Sequence, residues 1–323
     1  MRVLLVGAGA VGQVYGRHLA LGGAEVSFLL KPKHLEAARR GFAMYPYNDR
    51  RHRTEPVRFA CFGVLGSMSE VRAGRWDQVW LCVSSDALRA GGWFAELLEA
   101  IGGAAVVTLQ VGLGDAEWVA ERAGAERVLF GLITFLAWPG PLGGEGLPEP
   151  GICYWVPPLV PTLLQGPAPP VAAALGALRR GGLPARAARG VVQQAALSAA
   201  MVSTGVAALE LAGWRFGALV RGPWLGLGRR AAREAVAIAA GYYGRRPPRL
   251  VPQLFQPWLV RALMPLVRWV VPFDMERYLQ VHFSKVGRQT RQHLERLIAE
   301  GRRQGLPAGA LQELHRRLGP PAR

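Results

Sequence analysis

The sequence predicts an α/β domain built on a parallel sheet, followed by an all-α domain. Three observations predict it. The first half alternates short runs of branched apolar residues with helical stretches, the rhythm of β-α-β units. A glycine-rich turn joins the first of these strands to the first helix. After Pro170 the strand signal gives out and the periodicity becomes helical. At 323 residues the chain has room for about two domains. The expected division is 1–168 and 169–323.

The first strand is Arg2–Val6, a branched apolar run of the kind found in buried parallel sheets. It runs into Gly7-Ala8-Gly9-Ala10-Val11-Gly12, and a helix follows. Gly7 permits the tight turn, Gly9 lets a pyrophosphate approach the backbone, and Gly12 lets the helix pack on the strand. The helix N-terminus adds unpaired N–H groups and a partial positive charge. This context predicts a Rossmann dinucleotide-binding domain, with Gly7, Ala8, Gly9, Ala10, Val11 and Gly12 as cofactor residues.

The second strand, Glu25–Leu30, ends at Lys31-Pro32-Lys33-His34 with no acidic residue. An acid at this point holds the ribose 2′-OH of NAD, whereas a basic residue accommodates a 2′-phosphate. Lys31 and Lys33 therefore predict NADP. Further strands are predicted at Gln78–Val83, Ala104–Leu109 and Val128–Ile133. Their carboxyl ends place Ser84, Gln110 and Thr134 along the ligand-binding edge. Ser84 or Ser85 can equally cap the next helix, and Gln110 can equally satisfy a turn. The Pro- and Gly-dense stretch 139–170 reads as a hairpin, Ile152–Val156 with Leu163-Leu164-Gln165, followed by a linker.

In the second half, Val191–Leu211 carries one charge, Glu210, and many small residues, which predicts a central core helix. Its adjacent glutamines argue against membrane insertion. Leu250–Phe273 is apolar and aromatic but interrupted by prolines, so it cannot be one straight helix. It reads as a broken helix pair, with a lid, a partner surface or a membrane-surface contact as alternatives. Tyr278–Leu318 is expected to be a long polar helix, a break at Gly305-Leu306-Pro307, and a short helix.

Composition narrows the class. Half the residues are apolar, which excludes disorder. Three cysteines have neither a disulfide framework nor metal-ligand spacing, so no metal is expected. A strand at the N-terminus and the lack of an uncharged apolar run long enough to span a bilayer lead to the expectation of a cytoplasmic protein with no transmembrane segment. The net charge is +17. Residues 1–165 hold 15 basic and 15 acidic residues; residues 166–323 hold 24 and 7. The arginines are scattered among helices rather than massed in a tail, so no nucleic-acid partner is expected.

Gly7, Gly9, Gly12 and Gln13, the turn Gln110-Val111-Gly112-Leu113-Gly114, and Gly287-Arg288-Gln289-Thr290 together resemble the ketopantoate reductase family. The resemblance covers nearly the whole chain. It implies an NADPH-dependent reductase with a helical substrate domain that can also form a homodimer. The sequence departs from the family at its catalytic positions. Ser84 stands where the family has a lysine, and Val111 where its glycine-rich turn has an asparagine. The central helix, Gln193-Gln194-Ala195-Ala196-Leu197-Ser198, has no counterpart of the family's lysine and asparagines. Arg291 replaces a substrate-binding glutamate. With only Lys31, Lys33 and Lys285 in the chain, no shift of register restores the lysine.

Reducing a carbonyl still requires a proton donor and stabilisation of developing charge. The remaining donors cluster near one helix. His282 and Lys285 are candidate catalytic acids, with Tyr278 as a third. Ser284, Arg288 and Arg291 are candidate groups for an anionic substrate, because arginine pairs bidentately with carboxylate. The same pattern also describes a solvated basic helix. Two functional classes stand at this point. One is an NADPH-dependent reductase of a 2-oxo-acid-like carbonyl other than ketopantoate. The other is an NADP-binding sensor or scaffold without catalysis.

Overall fold

A computed structural model describes residues 1–143, 146–247, 270–285 and 287–320. The chain divides into two compact units, Met1–Val192 and Gln193–Arg323. The first unit thus extends past the expected boundary at 168.

An eight-stranded sheet forms the centre of the first unit. Its strands are β1 (Arg2–Val6), β2 (Glu25–Leu29), β5 (Gly63–Leu65), β6 (Gln78–Leu81), β7 (Ala105–Thr108), β8 (Val128–Leu132), β11 (Thr162–Gln165) and β12 (Ala185–Ala187). Their order across the sheet is β12-β11-β8-β7-β6-β1-β2-β5. From β5 to β8 every pairing is parallel, and β11 joins β8 antiparallel. This is the doubly wound order with β1 at the centre. The helices between these strands are α1 (Ala10–Leu21), α2 (Leu35–Arg39), α3 (Met68–Ala73), α4 (Ser85–Arg89), α5 (Trp93–Ile101), α6 (Asp115–Ala123) and α7 (Ala168–Arg180).

The apolar runs have a structural cause. Along β1, Val3 and Leu5 pack into one core cluster, with Tyr15, Leu19 and Leu178, while Leu4 and Val6 pack into another, with Leu97, Ile101 and Val119. A strand covered on both faces needs an apolar side chain at every position.

A second, four-stranded sheet has the order β4-β3-β10-β9, from β3 (Phe42–Pro46), β4 (Val57–Phe59), β9 (Leu136–Gly140) and β10 (Gly151–Trp155). The expected hairpin of residues 152–156 with 163–165 is therefore corrected. β10 bonds to β9 and β3, whereas β11 lies in the main sheet between β8 and β12. The expected linker after 165 is helix α7 and strand β12, which place Arg179, Arg180 and Arg186 in the first unit.

The second unit contains α8 (Val191–Leu211), which begins at the division, α9 (Phe216–Arg221), α10 (Trp224–Tyr242), α11 (Met275–Lys285), α12 (Gly287–Gln304) and α13 (Gly309–Leu318). Helix α8 is long and apolar enough, by length and composition, to cross a membrane, yet half of it is buried within the protein. Ala200, Thr204, Ala207, Ala208 and Leu209 are among its buried residues, as a core helix requires. Helices α12 and α13 pack on α10, and the Glu234 carboxylate on α10 accepts hydrogen bonds from the Ala310 and Leu311 N–H groups at the start of α13. Residues 250–269 of the apolar 250–273 stretch lie outside the described residues.

His18 ties α1 to the end of α7. Its Nδ1 lies 2.7 Å from the Gly181 carbonyl oxygen and donates to it. Burial pushes the imidazole down to about 4 from an ordinary 6.5. His18 is thus neutral in the fold, while the unfolded chain takes up a proton there below pH 6.5. Unfolding gains a proton in this window, so the protein loses stability as pH falls from 6.5 to 4, on the order of 3 kcal/mol from this group. His18→Gln keeps a donor but not the titration. Thermal melts against pH should show a steeper fall for the wild type than for His18→Gln across that window. Parallel curves would contradict this account.

Candidate functional site

The site forms at the carboxyl edge of the main sheet. β1 delivers Gly7 at φ +97°, a left-handed conformation that permits the turn. Gly9 then caps α1 in extended conformation. No side chain caps that helix and no acid lies in its first turn. Its leading N–H groups therefore have no acceptor within the helix, and the positive end of the helix dipole is unopposed. A Cβ placed on Gly9 meets nothing within 4 Å. A Cβ on Gly12 would overlap the Gly7 carbonyl oxygen and crowd the Cys82 Cβ at 3.2 Å. The Gln13 side chain donates back to the Ala8 carbonyl at 2.9 Å and braces the loop. Burial pushes the Cys82 thiol up, away from thiolate chemistry.

Lys31 and Lys33 follow β2 directly, on a single turn of 3-10 helix, and both are exposed. No acidic residue lies in that turn. On the other side of β1, the Gln110 and Ser84 side chains make the turn and cap bonds that the sequence left open for them. The Gln110 amide is committed to backbone. Its Nε2 donates to the Leu81 and Val83 carbonyls at 3.0 and 2.6 Å, and its Oε1 accepts from Thr108 and Leu109. It satisfies strand ends, and both of its side-chain N–H donors are engaged there. The Ser84 hydroxyl accepts from the Ala87 N–H at 3.3 Å and caps α4, though the residue is exposed beside the edge. Thr134, after β8, is half-buried.

Ser85, Arg89 and Asp115 link these turns, and of the three only Ser85 stands out in the sequence. Asp115, the first residue of α6, accepts from the Ser85 hydroxyl at 2.5 Å, from Arg89 Nη2 at 2.7 Å and from the Gly112 N–H at 3.1 Å. An acid directly after Gly114, with a serine and an arginine four residues apart on α4, was the available signal. Nothing local in the sequence pairs them.

In the second unit, His282 lies on α11 one turn after Tyr278. Its ring stacks on that phenol at 5.4 Å and meets Phe283 edge-on at 4.9 Å. Burial pushes the Tyr278 hydroxyl up, which makes it a poor proton donor. Lys285 closes α11, and its side chain lies outside the described residues. Ser284 and Arg288 are exposed. Arg291 is not an available substrate clamp. It is 6% exposed, and its guanidinium donates to both Glu210 oxygens and to the Gly287, Leu318 and Gly319 carbonyls. These bonds engage all five of its N–H donors. It pins α12 to α8 and to the end of α13. Among the described residues, no group of three or more His, Cys, Asp or Glu could hold a metal ion.

Residues 3–138 match the family model described as ketopantoate reductase PanE/ApbA. The resemblance to the ketopantoate reductases thus holds over residues 3–138 of the sheet unit. Solved structures extend the likeness in fold to nearly the whole chain. A PanE/ApbA family ketopantoate reductase from Ralstonia eutropha JMP134 superposes with a TM-score of 0.73 at 20% identity, covering 98% of this chain and 97% of that one. A 2-dehydropantoate 2-reductase from Geobacter metallireducens GS-15 gives 0.70 at 18%, with 98% and 99% covered. D-mandelate dehydrogenase, solved with NADH and anilino(oxo)acetate, gives 0.70 at 15%, with 98% and 97% covered. No curated protein matches the sequence.

The residues present fit a dinucleotide. The helix N-terminus is uncapped, Gly9 faces open space, and basic residues stand beyond β2. Two substitutions separate packing from binding. Gly9→Ala should melt like the wild type and lose about tenfold or more in NADPH affinity, because the methyl enters the space a pyrophosphate needs. Gly12→Ala should cost about 3 kcal/mol of stability in thermal or denaturant unfolding. Equal NADPH affinity in wild type and Gly9→Ala would remove the glycine loop from the site.

Proposed function

We propose that this chain is an NADPH-dependent oxidoreductase of the ketopantoate reductase type, reducing the carbonyl of a small anionic, 2-oxo-acid-like substrate other than ketopantoate. The observation that carries the reading is the uncapped α1 N-terminus behind a glycine turn, at the centre of a sheet whose next strand ends in Lys31 and Lys33. The matched family model and the reductase and dehydrogenase folds support it.

The α1 N–H groups of the loop bind the pyrophosphate. Lys31 and Lys33 neutralise a 2′-phosphate, which an acid in their place would repel. A bound nicotinamide supplies the hydride. Reduction would also require a proton on the carbonyl oxygen, for which His282 and Lys285 are the candidate donors. The exposed Ser284 and Arg288 hold the substrate's anionic group.

Charge in the second unit supports an anionic substrate. Every acid among its described residues already has a partner. Glu210, Glu276, Glu300 and Glu313 face arginines, Glu295 faces His315, and Glu234 and Asp274 accept from backbone N–H groups. The surplus of arginine charge is therefore not neutralised from within.

Two measurements test the reading. Lys31→Glu with Lys33→Glu should weaken NADPH binding by about tenfold to a hundredfold, as expected for lost charge-assisted hydrogen bonds, and leave the melting temperature unchanged. Unaltered NADPH affinity would sink the NADP assignment. NADPH oxidation across a panel of 2-oxo acids should find a substrate, and His282→Ala or Lys285→Ala should lower its kcat by ~10²–10⁴-fold at constant NADPH affinity. Tight NADPH binding with no turnover would point to a sensor instead. A kcat unchanged in both variants would move the proton donor elsewhere.

A further inference from the structure

Asp115 has a place in the fold that sheet packing does not explain. It is 1% exposed and carries a charge, a costly combination unless the charge is fully paired. Its partners come from two different turns. Ser85 and Arg89 begin and end α4, which follows β6, and Gly112 lies in the turn that follows β7. The Ser85 hydroxyl is itself 2% exposed as a residue and donates at 2.5 Å. Arg89 reaches Asp115 Oδ1 at 2.7 Å, and its guanidinium rests 4.8 Å above the Trp118 ring. Gln110 adds a second link from the end of β7 to the Leu81 and Val83 carbonyls at the end of β6. The two turns are thus cross-linked into one rigid wall.

The sheet order says what the wall faces. The glycine loop follows β1, Lys31 and Lys33 follow β2 on one side, and β6 and β7 lie on the other. A dinucleotide centred on β1, with its adenosine half toward β2, extends its nicotinamide half over the ends of β6 and β7. We infer that Asp115 is a positioning residue for the nicotinamide half of the cofactor, acting by locking these two turns together. This rests on the dinucleotide reading above. It adds that positioning on the nicotinamide side depends on a buried carboxylate that touches no cofactor atom itself.

The experiment compares two ligands on the full chain, NADPH and 2′,5′-ADP, which carries only the adenosine half. Asp115→Asn keeps the shape and removes the charge. It should lower NADPH affinity about tenfold, the scale of one charged hydrogen bond, while 2′,5′-ADP affinity stays within about twofold. Ser85→Ala should shift NADPH in the same direction by a smaller factor, and it carries the comparison if Asp115→Asn does not fold. Equal losses for both ligands would mark Asp115 as merely structural and overturn the proposal. So would unchanged NADPH affinity in both variants. A wild type that binds neither ligand would overturn the NADP reading itself. A wild type that binds both, with variants that do not separate them, would overturn this proposal alone.

Discussion

Helix α1 approaches the end of β1 so closely that no side chain fits between them. A Cβ at Gly12 would overlap the Gly7 carbonyl oxygen. That contact aims the helix N-terminus at the carboxyl edge of the sheet. It also sets α1 across β1, where Tyr15 and Leu19 enter the core beside Val3 and Leu5. With β1 central and flanked by β2 and β6, the rest of the site is placed on either side of it. The lysines follow from β2, and the cross-linked turns follow from β6 and β7. A small residue at one position thus couples the packing of the domain to its binding chemistry.

The candidate polar side chains of the two units divide by what they bond. Gln110, Ser84 and Arg291 are conspicuous in the sequence, yet each spends hydrogen bonds on backbone or on another helix. Gln110 therefore braces the turns of its own sheet, and Arg291 joins helices of its own unit. Lys31, Lys33, Ser284 and Arg288 are exposed and have charge or donors to offer a ligand. The distinction is one of geometry. A guanidinium with five engaged donors cannot also clamp a substrate, whatever its charge.

Strands covered on both faces were legible in the sequence. Residues 78–83 and 104–109 were read as strands, and β6 and β7 occupy Gln78–Leu81 and Ala105–Thr108. Continuous apolar runs mark such strands because both faces demand burial. The second sheet was not legible as a sheet. Met44 pairs with Ile152 and Ala43 with Arg58, and these short strands carry no local signal of partners so distant. Adjacency along the chain suggested a hairpin of β10 with β11, and tertiary pairing separated them into two sheets.

The sequence by itself determined the class of the first domain, the glycine loop after its first strand and the identity of the cations beyond its second. These depend on local turn geometry and on which residue types are present at all. Three lysines and one asparagine leave few chemical options however the chain folds. Only the tertiary structure decided which polar groups are consumed by the fold. Asp115 meets Ser85 across 30 residues, and Arg291 meets Glu210 across 81. Such pairs form because burial makes an unpartnered charge costly, and the partner is chosen by proximity in space rather than by spacing along the chain.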